Sequence, residues 1–367
     1  MIRIPVALRL QGDAPHVIHI GRGLGPRISV DLRRRRLAGR YVLVTDTNLA
    51  PVQGRRLLGS LRRRGLATDL VTLPAGERHK SRRTRDALED RLIDLGADRA
   101  TALVALGGGV VGDVTGFVAA TFHRGIPYVQ VPTTLVGMVD SAIGGKTAIN
   151  HPAGKNLIGA YHPPSAVYID VDHLKSLPAR EFRSGLAEVV KCGVIADAGL
   201  FETLERSADR VLRRDLDLLV RLIEACVRIK VRVVVTDPRE TGRRKILNFG
   251  HTIGHALETL ARYRMAHGEA VAIGMVAEAR IAASAGLAPA ALADRIARLL
   301  AVLGLPTIVP PRFRPAAILQ VARRDKKARL GRIAYALPVR LGAMAHDGAE
   351  YGLAVEDAEV ASVLRSR

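Results

Sequence analysis

Between Asn248 and Glu269 the chain reads Asn-Phe-Gly-His-Thr-Ile-Gly-His-Ala-Leu-Glu and then, after a short basic stretch, Ala-His-Gly-Glu. Three of the 11 histidines in 367 residues therefore fall in one window. Neutral imidazole binds zinc and its neighbours, and it exchanges protons near neutral pH. His251 and His255 are four apart and share one face of a helix, with His267 following at the next turn-to-helix junction. A second pattern, Glu188-Val-Val-Lys191, sets a carboxylate and an ammonium three apart. An exposed pair of this kind is worth only a few tenths of a kcal/mol, roughly. Leu186, Val189, Val190, Val194 and Ile195 surround it, however, so the face is expected to be buried. A buried glutamate needs a partner or a metal. An isolated histidine is more often a cap or a core hydrogen-bonding group, but three of them with a buried glutamate point to a divalent metal site. Spacing alone nominates His251 and His255 as the ligand pair.

A different chemistry is suggested by Leu106-Gly-Gly-Gly-Val-Val-Gly-Asp113, which ends an apolar run and opens a helical pattern. Gly107, Gly109 and Gly112 have dinucleotide spacing and would let backbone N–H groups approach a pyrophosphate. Tight strand–helix packing explains the same glycines. The acidic ribose partner normally found about 20 residues downstream is missing, and Asp46, at the end of an earlier strand, is the substitute. Gly144-Gly-Lys-Thr147 resembles the tail of a P-loop, but Val139 and Asp140 stand where its first glycine belongs, which argues against a triphosphate site. With Lys146, Lys155 and Asn156 nearby, the segment suits a phosphorylated small molecule. Lysine is rare, with nine against 47 arginines, and Lys80, Lys146, Lys155, Lys191, Lys230, Lys326 and Lys327 all fall in motif-like segments. A compact ammonium can approach a phosphate or hydroxyl where a guanidinium fork does not fit.

The elements that must position these groups divide into two sets. Residues 2–10 and 17–20 suggest an opening hairpin, and short apolar runs at 41–46, 70–73, 102–106, 127–132 and 166–170 alternate with helical patterns at 48–64, 80–96 and 112–121. Such alternation predicts an α/β domain with a largely parallel sheet. Beyond about residue 176 the strand signals fade, and 180–195, 197–233, 251–264, 268–285, 289–303 and 315–323 have helical spacing. The expected architecture is an NAD-binding α/β Rossmann-like domain over 1–175 and a mainly α-helical metal- and substrate-binding domain over 176–367, with the active site in the cleft between them. Two cysteines, Cys192 and Cys226, argue against a disulfide framework, and neither a signal peptide nor an apolar run of 18 residues is present. Those features suggest a cytoplasmic protein without a membrane partner. The net charge of +21 permits nucleic acid, but aromatics are only 4% and the basic residues are scattered, so no nucleic-acid partner is expected.

Taken together, Gly107 to Arg124, Pro132 to Asn156, Leu177 to Lys191, Lys230 to Glu258, His267 to Met275 and Asp325-Lys326-Lys327 resemble the 3-dehydroquinate synthase family of the sugar phosphate cyclases. The resemblance runs in order through most of residues 100–330. It implies bound NAD and a divalent metal, usually zinc with cobalt as an alternative, held by Glu188, His251 and His267. That ligand set replaces the spacing-based pair and moves His255 toward the substrate phosphate. NAD contacts would fall on Asp46, Asn48, Glu77, Lys80, Gly108, Gly109, Asp113, Thr133, Thr134 and Asp140.

The implied substrate is 3-deoxy-D-arabino-heptulosonate 7-phosphate (DAHP) and the product 3-dehydroquinate, as in the shikimate route to aromatic amino acids. NAD transiently oxidises a ring alcohol, phosphate is eliminated, the ketone is reduced back, the ring opens and an aldol closure forms the carbocycle. By the same resemblance Lys146, Asn156, His255, Lys327 and Arg124 would hold the phosphate, Arg124 reaching over from a second subunit of a homodimer. Asp140 and Lys155 complete the substrate-binding set. Arg244 and Asn248 would contact the carboxylate, Arg244 being chosen over Arg243 by counting four back from Asn248. Lys191 and Lys230 would order hydroxyls and help move protons, while the substrate's own phosphate acts as a base. Ser176 and His162 depart from the usual Thr and Gln. The competing readings are an aminodehydroquinate synthase or other sugar phosphate cyclase, a metal-dependent alcohol dehydrogenase of the glycerol dehydrogenase type and, remotely, a nucleic-acid-binding protein.

Overall fold

The computed structural model describes residues 1–8, 15–152, 154–323, 333–348 and 350–365. Two compact units divide at Leu177/Pro178. In the first, strands β1 (Ile2–Val6), β2 (His16–Gly21), β3 (Arg40–Asp46), β4 (Thr68–Leu73), β5 (Thr101–Gly107), β6 (Tyr128–Pro132) and β9 (Ala166–Asp170) form one sheet. Its order is β1-β2-β9-β6-β5-β3-β4, antiparallel at β1–β2 and parallel elsewhere. A parallel sheet is covered on both faces, which is why its strands read as near-continuous apolar runs. Tyr41 and Leu43 of β3 pack with Ile28 and Leu32 of α1 (Gly25–Arg35) and with Leu57 and Leu61 of α2 (Arg55–Arg63). Val42 and Val44, pointing the other way, meet Leu88 and Leu92 of α3 (Arg82–Asp94) and Val114 and Val118 of α4 (Gly109–Thr121).

The strand order supplies a functional clue. From β3 the chain moves outward to β4, then returns to place β5 on the other side of β3 and continues through β6 to β9. The reversal lies between β3 and β5, and in doubly wound sheets ligands bind beyond the carboxyl ends of strands at such a switch point. Val44 pairs with Ala105, so Asp46 and Gly107 end the two strands at the same level. A separate antiparallel hairpin, β7 (Lys146–His151) with β8 (Gly154–Tyr161), carries Lys146, Lys155 and Asn156. Its strand character is absent from the sequence expectations, because glycines and polar residues interrupt the apolar alternation.

The second unit is built on α5 (Ala179–Ala196), α6 (Ala198–Leu212), α7 (Leu216–Thr236), α8 (His251–Leu260), α9 (His267–Ser284), α10 (Ala290–Val302), α11 (Pro315–Ala322) and α12 (Asp357–Arg365). The helical pattern expected over 197–233 is two helices. Arg214 turns left-handed (φ 59°) and Asp215 caps α7 by accepting from the Leu218 N–H at 3.1 Å. Short strands β10 (Ala334–Tyr335), β11 (Pro338–Arg340), β12 (Ala343–Met344) and β13 (Leu353–Ala354) also belong to this unit. At two or three residues each they are too brief to show a period-2 pattern. Ile253, Leu257, Ile273, Ile281 and Tyr335 lie in its core.

Candidate functional site

In the first unit the glycines stand where β5 passes into α4. Gly108 occupies the cap position without a side-chain cap, leaving the first-turn N–H groups of α4 to be satisfied otherwise. That is a standard place for an anion. Packing constrains the same glycines: a Cβ on Gly107 would lie 2.5 Å from Val111 Cγ2, one on Gly108 2.9 Å from Thr134 Cγ2, and one on Gly112 2.9 Å from Gln130 Oε1. Packing therefore accounts for the run, and the uncapped start of α4 is open to the anion-site explanation as well. Thr133 and Thr134 follow β6, and Thr133 N donates to Gly107 O at 3.0 Å, tying the two strand ends together. Asp46 accepts from the N–H groups of Asn48 (2.9 Å) and Leu49 (3.1 Å), which shapes the turn after β3.

A polar network lies beside these strand ends. The buried Lys80 ammonium donates to Asp113 Oδ2 and to Asn156 Oδ1. Burial pushes the Asp113 carboxyl above the usual range even though Lys80 and its charge oppose the shift. Asn150 joins the set: its Nδ2 donates to Glu77 Oε1 at 2.7 Å, and its Oδ1 accepts from Asn156 N at 3.0 Å. Lys155 Nζ stands 3.8 Å from the same Glu77 oxygen. Glu77, Lys80, Asp113, Lys155 and Asn156 are thus brought together through Asn150, a residue not nominated from the sequence. Its clue was compositional, as one of only four asparagines. Asp140 and Lys146 are half-buried, on the turn after β6 and at the start of β7. Arg124 is exposed in a bend where His123 (φ 50°), Arg124 (φ 69°) and Gly125 (φ 121°) are all left-handed.

In the second unit Glu188 and Lys191 lie on α5, with side chains only 1% and 2% exposed. The expected burial of this pair is what the structure shows. Two histidines converge on Glu188: Oε1 is 3.4 Å from His251 Nε2 and 3.0 Å from His267 Nε2. Lys191 Nζ stands 2.5 Å from Oε2, yet no hydrogen bond is aligned on that buried oxygen. Burial alone would raise the Glu188 carboxyl, but Lys191 and His251 hold it well below the usual carboxylate range. His267 shows the mirror effect. Burial disfavours its cation, while Glu258 and Glu188 outweigh that and lift it to about 10. The ligand atoms of Glu188, His251 and His267 all lie within 4.8 Å of one another, an oxygen and two nitrogens that suit a zinc-like cation. A histidine that holds a proton between two buried carboxylates is what such a cation would relieve. His255, Glu258 and His267 form a second group within the same limit.

Close helix approach creates this convergence. A Cβ on Gly268 would sit 2.0 Å from Ser184 O, so glycine there lets α9 start against α5 and sets His267 beside Glu188. Gly250 (φ 77°) and Gly274 meet similarly, a Cβ on Gly274 falling 2.0 Å from Gly250 O. Helix α8 has no cap of its own; Glu278 of α9 accepts from the N–H groups of Gly250 (2.7 Å), Thr252 (3.1 Å) and Ile253 (3.2 Å). Lys230, on α7, is buried. Asp237, ending α7, accepts from the N–H groups of Thr241, Gly242 and Arg244 and fixes the following loop. Arg244 is buried with Nη1 on Pro238 O at 2.6 Å, whereas Arg243 is exposed, so the inward-facing guanidinium is that of Arg244. Asn248 Nδ2 donates to Glu240 Oε1 at 2.7 Å. Lys327, with Asp325 and Lys326, lies outside the described residues.

Sequence inspection passed over Glu258 and Glu278. The first had a legible signal, because 251, 255 and 258 follow i, i+4, i+7 and share one face of α8. Glu278, near the middle of α9, had none.

Family models cover the chain from residue 70 to residue 328. Residues 70–184 match the N-terminal 3-dehydroquinate synthase model, and residues 185–328 match the C-terminal one. A 3-dehydroquinate synthase of Pelobacter propionicus is 48% identical over 325 residues, which covers 88% of this chain and 90% of that protein. Among solved structures, 2-epi-5-epi-valiolone synthase from Streptomyces hygroscopicus, with NAD+ and Zn2+ bound, superposes with a TM-score of 0.88 at 28% identity and covers 98% of both chains. A 2-deoxy-scyllo-inosose synthase complexed with carbaglucose-6-phosphate, NAD+ and Co2+ gives 0.86 at 26% identity, covering 99% of both.

Proposed function

The chain belongs to the 3-dehydroquinate synthase family, and on that premise we propose how its own residues carry the reaction. It converts DAHP to 3-dehydroquinate and inorganic phosphate, using NAD and a divalent cation. NAD supplies a reversible hydride acceptor, and the cation supplies Lewis acidity toward a substrate oxygen. The carrying observation is the Glu188–His251–His267 cluster, whose three ligand atoms converge on one buried point. Those three residues would hold the cation. They leave open positions for substrate oxygens, as a catalytic site needs.

Asp46, Asn48, Glu77, Lys80, Gly108, Gly109, Asp113, Thr133, Thr134 and Asp140 are assigned to NAD. The uncapped start of α4 at the sheet's switch point supports that assignment. Arg244 and Asn248 bind the substrate carboxylate, for which a guanidinium fork is the natural partner. Lys146, Lys155, Asn156, His255 and Lys327 are assigned to the phosphate end. Lys191 and Lys230, both buried ammonium groups, orient hydroxyls and pass protons toward the departing phosphate. The exposed Arg124 in its left-handed bend is assigned to the neighbouring site of a homodimer. Among the described residues no helix is long and apolar enough to cross a membrane, and the proposed compartment is the cytoplasm.

The test supplies DAHP and substoichiometric NAD to the metal-loaded protein. Stoichiometric phosphate release without net NADH is the expected outcome. Sustained NADH accumulation would indicate an ordinary alcohol dehydrogenase and defeat the proposal. The same assay with the amino analogue of DAHP in parallel sets substrate preference, which is expected to favour DAHP.

A further inference from the structure

Each histidine of the proposed ligand set has two ring nitrogens, and only one can face a cation. In both, Nε2 is turned to Glu188 Oε1. The other nitrogen of His251 is taken up by backbone, Nδ1 lying 3.0 Å from the Phe249 carbonyl oxygen. A carbonyl only accepts, so His251 Nδ1 carries a proton, and Nε2 is the nitrogen left to offer a lone pair to a cation. His267 is held differently, its Nδ1 lying 3.5 Å from Glu258 Oε2. Glu258 is 2% exposed, and a carboxylate that deep in a protein is costly unless its charge is used.

We propose that Glu258 is a positioning residue for His267: it accepts the Nδ1 proton and so aims the Nε2 lone pair into the pocket formed with Glu188 and His251. This rests on the metal-ligand set proposed above. The two histidines would then be held by different acceptors, a neutral carbonyl at the start of α8 and a charged carboxylate one turn beyond His255. The charged acceptor makes His267 the stronger donor of the pair, and outer partners of this kind contribute about 10- to 100-fold in metal affinity.

The rival role for the same side chain is direct coordination, since His255, Glu258 and His267 also form a compact group. Metal-stripped parent, Glu258→Gln, Glu258→Leu and His267→Ala are titrated with Zn2+ against a chromophoric chelator, and the visible spectrum of each Co2+-loaded protein is recorded. One equivalent is expected in the parent. Affinity should fall about 10- to 100-fold in Glu258→Leu. Glu258→Gln, whose amide oxygen still accepts, should lose less and serves if the leucine variant does not fold. The Co2+ spectrum should change in the leucine variant while its far-ultraviolet circular dichroism matches the parent. Two equivalents in the parent that fall to one in both Glu258 variants would make Glu258 a ligand and overturn the proposal. Unchanged affinity and spectrum in both, with binding lost only in His267→Ala, would defeat the role of Glu258 alone. If His267→Ala binds Zn2+ as tightly as the parent, the ligand set and this proposal fall together.

Discussion

His267 lies with one ring nitrogen toward Glu188 and the other toward Glu258, and a proton sits comfortably between two carboxylates. In the metal-free protein the imidazole is therefore charged through neutral pH and up to about 10. A cation needs the neutral ring, so proton and metal compete for Nε2. The sign follows: Zn2+ affinity should rise with pH, by about one decade per pH unit, until roughly pH 10, and binding at pH 7 should release protons. Calorimetry in buffers of different ionisation enthalpy measures that release. An affinity independent of pH between 6 and 8 would show that His267 is already neutral. Spacing pairs His251 with His255, which is sound helix geometry, and their rings do meet at 5.3 Å between centroids. Glu188, however, is 63 residues from His251, and no periodicity reaches across that interval.

At the scale of elements, the cluster depends on how closely α8, α9 and α5 approach. Glu278, wholly buried, serves as the N-terminal cap that α8 lacks. Replacing it by alanine leaves three buried N–H groups, each costing about 1–3 kcal/mol if unpaired. Glu278→Ala should lower unfolding stability in denaturant by on the order of 3 kcal/mol or more. Glu278→Gln, which keeps one acceptor, should lose less. A loss below about 1 kcal/mol in the alanine variant would show that other groups or water satisfy α8. Most of the main helices were legible because an amphipathic period survives in them, whereas α4 and α9 are buried on nearly every side. The β7–β8 hairpin and β10 to β13 were not, their strands being glycine-broken or only a few residues long.

For the molecule as a whole, stability against pH is set partly by groups far from any chemistry. His16, buried at the start of β2, is held down to about 4 by burial and by the nearby Arg35 charge. The unfolded chain takes up this proton below about 6.5 whereas the folded chain waits until about 4, so the contribution is intact above 6.5 and lost as pH falls. At about 1.4 kcal/mol per pH unit, the interval is worth roughly 3 kcal/mol. His16→Gln should make urea-unfolding stability less steep between pH 7 and 4 by about that amount. An unchanged slope would show that His16 is already protonated in the fold.

The chain by itself determined its layer architecture and its chemical vocabulary. Apolar runs that must be covered on both faces dictate a parallel sheet, and rare lysines, asparagines and clustered histidines mark the segments proposed above to meet substrate and cofactors. Only the tertiary structure decided which of those groups meet. Placing Asp46 level with Gly107 required the crossover that sets β3 beside β5. Bringing Glu188 onto His251 and His267 required glycines at 250, 268 and 274, where any side chain would hold the backbones apart. Such contacts join residues tens of positions apart through close packing, and close packing leaves no periodic trace along a chain.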